Sequence, residues 1–330
     1  MLYKHNAAST VYNKMKRTHL SKPQVSGVEK NLKNFQSVHS VGMTTLNLNY
    51  DAATTGIANV EMVDGNAIPI LGFGTYKLDD EQARESVRYA LEVGYRHIDT
   101  ASLYRNERGV GQGIADAVAA NVVKREDIFV TTKVWNDAQG SAATRESVRA
   151  SLERLGLDYV DLVLVHWPVE KQGTFGQCFD TLLELKREGL IHSVGVANFY
   201  PEVLDQLSET PVVNQIELHP QFPQNEQVED DRRRGIVTQA WSPLGRAKYF
   251  EGSSTAEIAD RLGKTPAQVA IRWHLQRGIV AIPKSGTPSR IKENFQVTDF
   301  ELTDEDMETI ASMARADGRL SGDPRVFGNE

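Results

Sequence analysis

This sequence predicts an α/β chain folded as a closed (β/α)8 TIM barrel, and three observations lead there. Short β-branched runs alternate with longer amphipathic stretches eight times. Several of the runs are apolar almost throughout, as strands buried on both faces are. Each run after the first ends on a polar or aromatic residue that an ordinary core would not select. An open, doubly wound sheet is the competing arrangement.

In chain order, VEMVDGNAIPIL comes first, with two apolar runs around Asp64-Gly65-Asn66, the signature of a hairpin. It is expected to close the N-terminal, bottom end of the barrel. The eight strand candidates are 70–76, 95–101, 128–134, 159–167, 192–199, 212–218, 236–241 and 279–285. Two of the intervening helices are plain in the pattern. In 80–94, Ala83, Val87, Ala90 and Leu91 recur at helical spacing. In 141–156, Val148, Leu152 and Leu155 do the same before Gly156 stops the helix. Nothing after Asn59 reads as a linker, so residues 59–330 are expected to form one domain, preceded by a poorly structured basic leader over 1–58.

The length of 330 residues accommodates a barrel of the usual ~250 residues. A net charge of −7 excludes a general nucleic-acid partner, which needs a basic surface. Cys178 is the one cysteine, so no intrachain disulfide can form, and a reducing, cytoplasmic setting is expected. No apolar run approaches the ~20 residues of a membrane span. Residues 1–50 hold seven Lys and Arg against Glu29 alone, without the apolar segment of a secretory signal; Arg17 is the sole arginine there and Met43 a candidate internal start. A basic docking arm is the alternative to a mobile extension.

The polar residues at the strand ends are Asp99, Lys133, His166, Asn198, Gln215, Trp241 and Lys284. In a barrel these ends converge on one mouth, where active sites are built. Any one of them alone has an ordinary core reading; seven in register do not. A buried lysine needs a partner, and Asp99 supplies the charge for Lys133. Lys133 beside the hydroxyl of Tyr104 would favour the phenolate and draw its pKa below ~10. Tyr104 then becomes a proton donor to a carbonyl oxygen, and His166 can hydrogen-bond the same oxygen.

GFGTYKL (72–78), GYRHIDTASLYRNERGVGQGI (94–114), TTKVWN (131–136), DLVLVHWP (161–168), VNQIELHP (213–220) and IPKSGTPSRIKENF (282–295) together resemble the signatures of the aldo-keto reductase family, in order. The nearest branch in appearance is the bacterial 2,5-diketo-D-gluconate reductases. The resemblance implies a catalytic tetrad of Asp99, Tyr104, Lys133 and His166. It implies NADPH as cofactor, with the carboxamide held by Asn198 and Gln215, the ring stacked on Trp241, and Ser242 and Leu244 beside it. It places the adenosine 2′-phosphate on Lys284, Ser285, Gly286, Thr287, Arg290 and Asn294, with Glu293 near the adenine; Arg suits a phosphate through its fork of donors. One departure is Ala197 before Asn198, where the family has serine, which removes a carboxamide hydrogen bond of about 1 kcal/mol.

Tyr76, Trp135 and Trp167 are expected to line an aromatic pocket for small aldehydes, ketones or keto-sugars. The segments 245–252 and 318–328 are short beside those of some relatives, which implies easy cofactor exchange, and a monomer is expected. GVGQG (109–113) follows no strand and is read as helix packing rather than a dinucleotide fingerprint. Tyr12 and Lys16 share the spacing of another reductase class but lie in the leader. The histidines form no metal-ligand cluster, so no metal is expected, against a reading as a metal-dependent barrel hydrolase. The rival to an enzyme is a cofactor-sensing barrel that regulates a protein partner.

Overall fold

The computed structural model describes residues 56–328 and the backbone of 48–50. Most of the basic leader, with Met43, Tyr12 and Lys16, therefore lies outside the described residues. Eight parallel strands follow one another around the sheet, namely β4 (Phe73–Gly74), β5 (His97–Asp99), β6 (Phe129–Val134), β7 (Val160–Val165), β8 (Ile191–Ala197), β9 (Val213–Glu217), β10 (Val237–Trp241) and β11 (Val280–Ala281). The barrel closes between the first run and the last. Leu71 bridges Ala281 in parallel, the Gly72 amide donates to Ala281 O at 2.9 Å, and the Gly74 amide to Pro283 O at 3.1 Å.

The hairpin expected ahead of the barrel pairs β2 (Ala58–Glu61) with β3 (Ala67–Pro69) through a turn in which Gly65 takes φ 86°. Asp64 anchors that turn: its carboxylate accepts from Lys186 Nζ at 2.7 Å and from Ser193 Oγ at 2.9 Å. Ser193 stands near the start of β8, so the hairpin sits at the N-terminal end of the strands, where its Val60, Met62 and Ile68 join the core. A third strand, β1 (Leu48–Tyr50), pairs antiparallel with β2 and falls within the stretch assigned to the leader.

The two helices expected from periodicity span Asp80–Val93 and Ser141–Leu155. Asp79 caps the first in a reciprocal box with Gln82, satisfying amides that a helix start leaves without partners. Gly156, at φ 65°, ends the second in a left-handed turn that disfavours other residues. The GVGQG segment lies inside the helix Glu107–Ala119, as its packing reading required. A Cβ on Gly109 would stand 1.9 Å from Asp80 O, and one on Gly111 2.0 Å from Leu155 O. Bare backbone at these two positions lets the helix that follows Tyr104 press against both of its neighbours.

Gly111→Ala forces backbone apart and is expected to cost about 1–3 kcal/mol in denaturant unfolding. Gly176→Ala, where an added Cβ meets nothing within 4 Å inside a helix, is expected to leave stability unchanged or slightly raised. Equal losses in the two variants would contradict this packing.

Candidate active site

The site is built on the C-terminal ends of the strands around one ammonium group. Lys133, on β6, is 1% exposed. Its Nζ donates to Asp99 Oδ1 at 2.5 Å, to Thr100 O at 2.9 Å and to Tyr104 Oη at 3.2 Å, so all three protons are directed. Asp99, which ends β5, uses its second oxygen to accept from Gln215 Nε2 at 2.7 Å. Three strands and the loop after β5 therefore meet at one buried ion pair.

Tyr104 closes a single 3-10 turn, Ser102–Tyr104, directly after β5. That turn is fixed from two sides. Ser102 Oγ donates to Lys133 O at 3.0 Å. Asn106, fully buried, donates through its amide to Thr75 O and Leu78 O at 2.8 and 2.9 Å and accepts from Thr100 Oγ1 at 3.1 Å. His166 follows β7, its ring centroid 5.9 Å from that of Tyr104 and 4.9 Å from that of Trp135. The His166 Nδ1 atom is buried without a protein partner.

Burial pulls the Lys133 ammonium down, but Asp99 and Tyr104 together outweigh it, and its pKa stands above the ordinary value. Burial also raises Asp99, against Lys133 and Gln215. The lysine, raised by its partners, carries its proton at neutral pH. Burial, reinforced by the charge of Lys133, takes His166 well below the imidazole range, so it is neutral at neutral pH.

Tyr104 departs from the expectation. Its pKa is raised, because burial outweighs Lys133 and the nearby Asp99 charge pushes in the same direction. The ammonium acts toward the phenolate, but less than burial acts against it. The hydroxyl therefore remains protonated at neutral pH.

On the far side of the mouth, Asn198 adopts a left-handed φ of 65° after β8, donates to His166 O at 3.0 Å, and accepts from Trp241 Nε1 at 2.9 Å. Gln215 lies two residues inside β9 rather than at its end, where the sequence pattern had put it, yet it reaches Asp99. Ser242 (φ 49°) and the partly buried Leu244 follow Trp241. Ala197, the departure from the family pattern, ends β8 fully buried.

Beyond β11, Lys284, Gly286, Thr287 and Arg290 are exposed, whereas Ser285 and Asn294 are buried. Ser285 Oγ accepts from the Thr287 amide at 3.0 Å, shaping the turn into the helix Pro288–Phe295. Glu293 accepts from Thr265 Oγ1 at 2.9 Å. Partial burial and repulsion from Lys77 lower Lys284, the mark of a positive patch without enough counter-charge. The set fits a dinucleotide with an extra phosphate, since it offers exposed cations at the outer end and amides and an indole ring at the inner end.

The predicted pocket residues come together around the tetrad. Tyr76 lies 5.0 Å from Tyr104 between ring centroids, and Trp135 stands over His166. Trp167 stacks on Phe327 at 4.2 Å, and the same ring lies 6.4 Å from Trp135. Phe327 was not singled out in the sequence; a lone aromatic in a Gly- and Pro-containing tail was its only signal. Asn106 and Glu217 were also missed, although each is a polar residue inside a motif quoted for the family. A cavity of about 680 Å³ opens beside the site, sharing Trp135 with it. Three arginines and three acids line that cavity, so their formal charges cancel. Among the described residues, no group of three or more His, Cys, Asp or Glu is arranged to hold a metal, and no helix is long and apolar enough to cross a membrane.

The sequence profile of the Aldo/keto reductase family matches residues 70–315. An aldo-keto reductase of Mycolicibacterium smegmatis is 47% identical over 272 residues, covering 81% of this chain and 97% of its own. The methylglyoxal reductase DkgA of Escherichia coli K12 is 44% identical over 275 residues, 82% of this chain and 98% of its own. Among solved structures, a Gox0644 variant in complex with NADPH superposes with a TM-score of 0.77 at 40% identity, over 82% of this chain and 98% of that one.

Lys133→Met strands the Asp99 carboxylate in the interior and is expected to cost about 3–5 kcal/mol in denaturant unfolding. Adding Asp99→Asn removes the stranded charge and should return more than half of that loss. A double variant no more stable than Lys133→Met would show that the pair is not the electrostatic centre of the site.

Proposed function

The chain belongs to the aldo/keto reductase family, and on that footing we propose that it reduces small aldehydes and ketones to alcohols with NADPH, Tyr104 serving as the proton donor. The observation that carries this reading is the convergence of Asp99 and Tyr104 on the Lys133 ammonium, with a neutral His166 facing them.

The bound cofactor supplies a hydride. The residues of the chain do the remaining work. His166 orients the carbonyl oxygen through a ring nitrogen without adding charge, and Tyr104 donates its proton to that oxygen. Lys133 stabilises the phenolate left behind, and Asp99 keeps the lysine charged and in place. Asn198 and Gln215 would hold the carboxamide through their amide oxygens, and Trp241 would offer its indole face to the ring. Ser242 and Leu244 would lie beside the cofactor. Lys284, Ser285, Gly286, Thr287, Arg290 and Asn294 hold the 2′-phosphate end, with Glu293 at the adenine. Residues 59–330 carry all of these groups.

Tyr76, Trp135 and Trp167, joined by Phe327, form an aromatic wall around the carbonyl. DkgA is named for methylglyoxal reduction, and a compact aldehyde of that kind suits this wall. Keto-sugars are the second class to assay.

The test is NADPH oxidation by the full chain with a panel of aldehydes, ketones and keto-sugars, run in parallel with NADH. Turnover favouring NADPH is expected, and Arg290→Ala should remove about 1.5–3 kcal/mol of NADPH binding while leaving NADH binding nearly unchanged. Tight NADPH binding without turnover across the panel would turn the reading toward a cofactor sensor.

A further inference from the structure

Glu217, which ends β9 with 2% exposure, has no part in the tetrad. Its carboxylate is nonetheless fully engaged by distant backbone. The amide of Leu320 donates to Oε1 at 2.6 Å and the amide of Ser321 donates to Oε2 at 3.1 Å, across more than a hundred residues of chain. His219 Nε2 approaches Oε1 at 3.2 Å, while its Nδ1 is buried without a partner. The register sets Glu217 directly beside Trp241 of β10, at the mouth of the barrel.

From this clasp the tail runs on through a turn in which the Phe327 amide donates to Asp323 O at 2.8 Å. Arg325 lies over the Tyr200 ring at 4.4 Å, and Phe327 reaches Trp167. Just before the clasp, Gly318 packs so closely that a Cβ there would stand 2.0 Å from Gln221 O, and Arg319 lies over the Phe222 ring at 4.6 Å. The segment between these contacts is otherwise short of apolar burial: Arg319, Leu320, Ser321 and Gly322 all fall short of full burial. Two charge-assisted hydrogen bonds to a buried carboxylate are its strongest attachment.

We propose that Glu217 is a positioning residue for the carbonyl site: by clasping the amides of Leu320 and Ser321, it holds the tail so that Phe327 completes the aromatic wall with Trp135 and Trp167. This rests on the proposed reductase reading for its kinetic consequence, though not for the clasp itself. A carbonyl compound carrying an aromatic or extended apolar body depends on that wall, whereas the chemistry at Tyr104 does not. Losing the clasp therefore weakens substrate binding and leaves the proton and hydride steps alone.

The experiment compares the full chain with Glu217→Ala, Glu217→Gln, Phe327→Ala and the double variant Glu217→Ala/Phe327→Ala. Glu217→Gln keeps the shape and one accepting oxygen but sets an NH2 group against the second amide, so it guards against simple misfolding. Limited trypsin digestion reads the clasp directly. Cleavage after Arg319 or Arg325 is expected to be slow in the full chain, faster in Glu217→Gln and fastest in Glu217→Ala. Equal rates in all three would overturn the clasp, whether or not any carbonyl is turned over. In steady-state assays with an aromatic aldehyde, KM should rise about tenfold in Glu217→Ala and in Phe327→Ala, with the double variant no worse than either, and kcat should hold. Additive losses, or a fall in kcat with KM unchanged, would overturn the positioning role. Failure of the full chain to turn over any carbonyl would strike the reductase reading while the digestion still judged the clasp.

Discussion

One ammonium group, that of Lys133, is the constraint around which this site is organised. Removing a lysine and an aspartate from water costs several kcal/mol per ion, and their attraction offsets this only when every remaining proton and lone pair is used. All three lysine protons are directed, and the second oxygen of Asp99 takes the amide of Gln215. The arrangement ties β5, β6 and β9 to the turn that bears Tyr104. The geometry that satisfies the buried charge is thus the same geometry that presents a phenol at the barrel mouth.

The distribution of protons follows from burial as much as from the pair. His166 is neutral, Lys133 is charged, and Tyr104 keeps its proton. A phenol that keeps its proton has one to donate, the ammonium beside it offsets part of what burial costs the phenolate, and a neutral imidazole can orient a carbonyl without competing for that proton. At the outer edge the balance is reversed. Lys284 is repelled by Lys77, and Arg290 is exposed nearby, so an anionic group gains there what the protein alone leaves uncompensated.

Much of this was legible in the sequence, and for physical reasons. Strands buried on both faces write continuous apolar runs, and the polar residues that end them stood out against that background, which is why Asp99, Lys133, His166 and Asn198 could be placed on one rim. Gly109 and Gly111 were read as packing because no strand preceded them. What the sequence did not reveal depends on three-dimensional closure. Gln215 reaches Asp99 from inside its strand. The Tyr104 pKa turns on burial, which a spacing does not encode. Glu217 and Phe327 gain their contacts from a tail that meets the barrel only after the chain has gone round it.

The central claim is that the Tyr104 hydroxyl is the proton donor of a carbonyl reduction, and Tyr104→Phe tests it most directly because it removes one oxygen and leaves the ring. Steady-state reduction of an aldehyde that the full chain accepts should be measured together with NADPH binding by fluorescence titration. On this account kcat falls by about 10²–10⁴-fold, the usual contribution of a positioned acid, while NADPH affinity stays close to that of the unaltered chain. Turnover in Tyr104→Phe comparable to that of the unaltered chain would contradict the assignment, and with it the role of Lys133 in stabilising a phenolate.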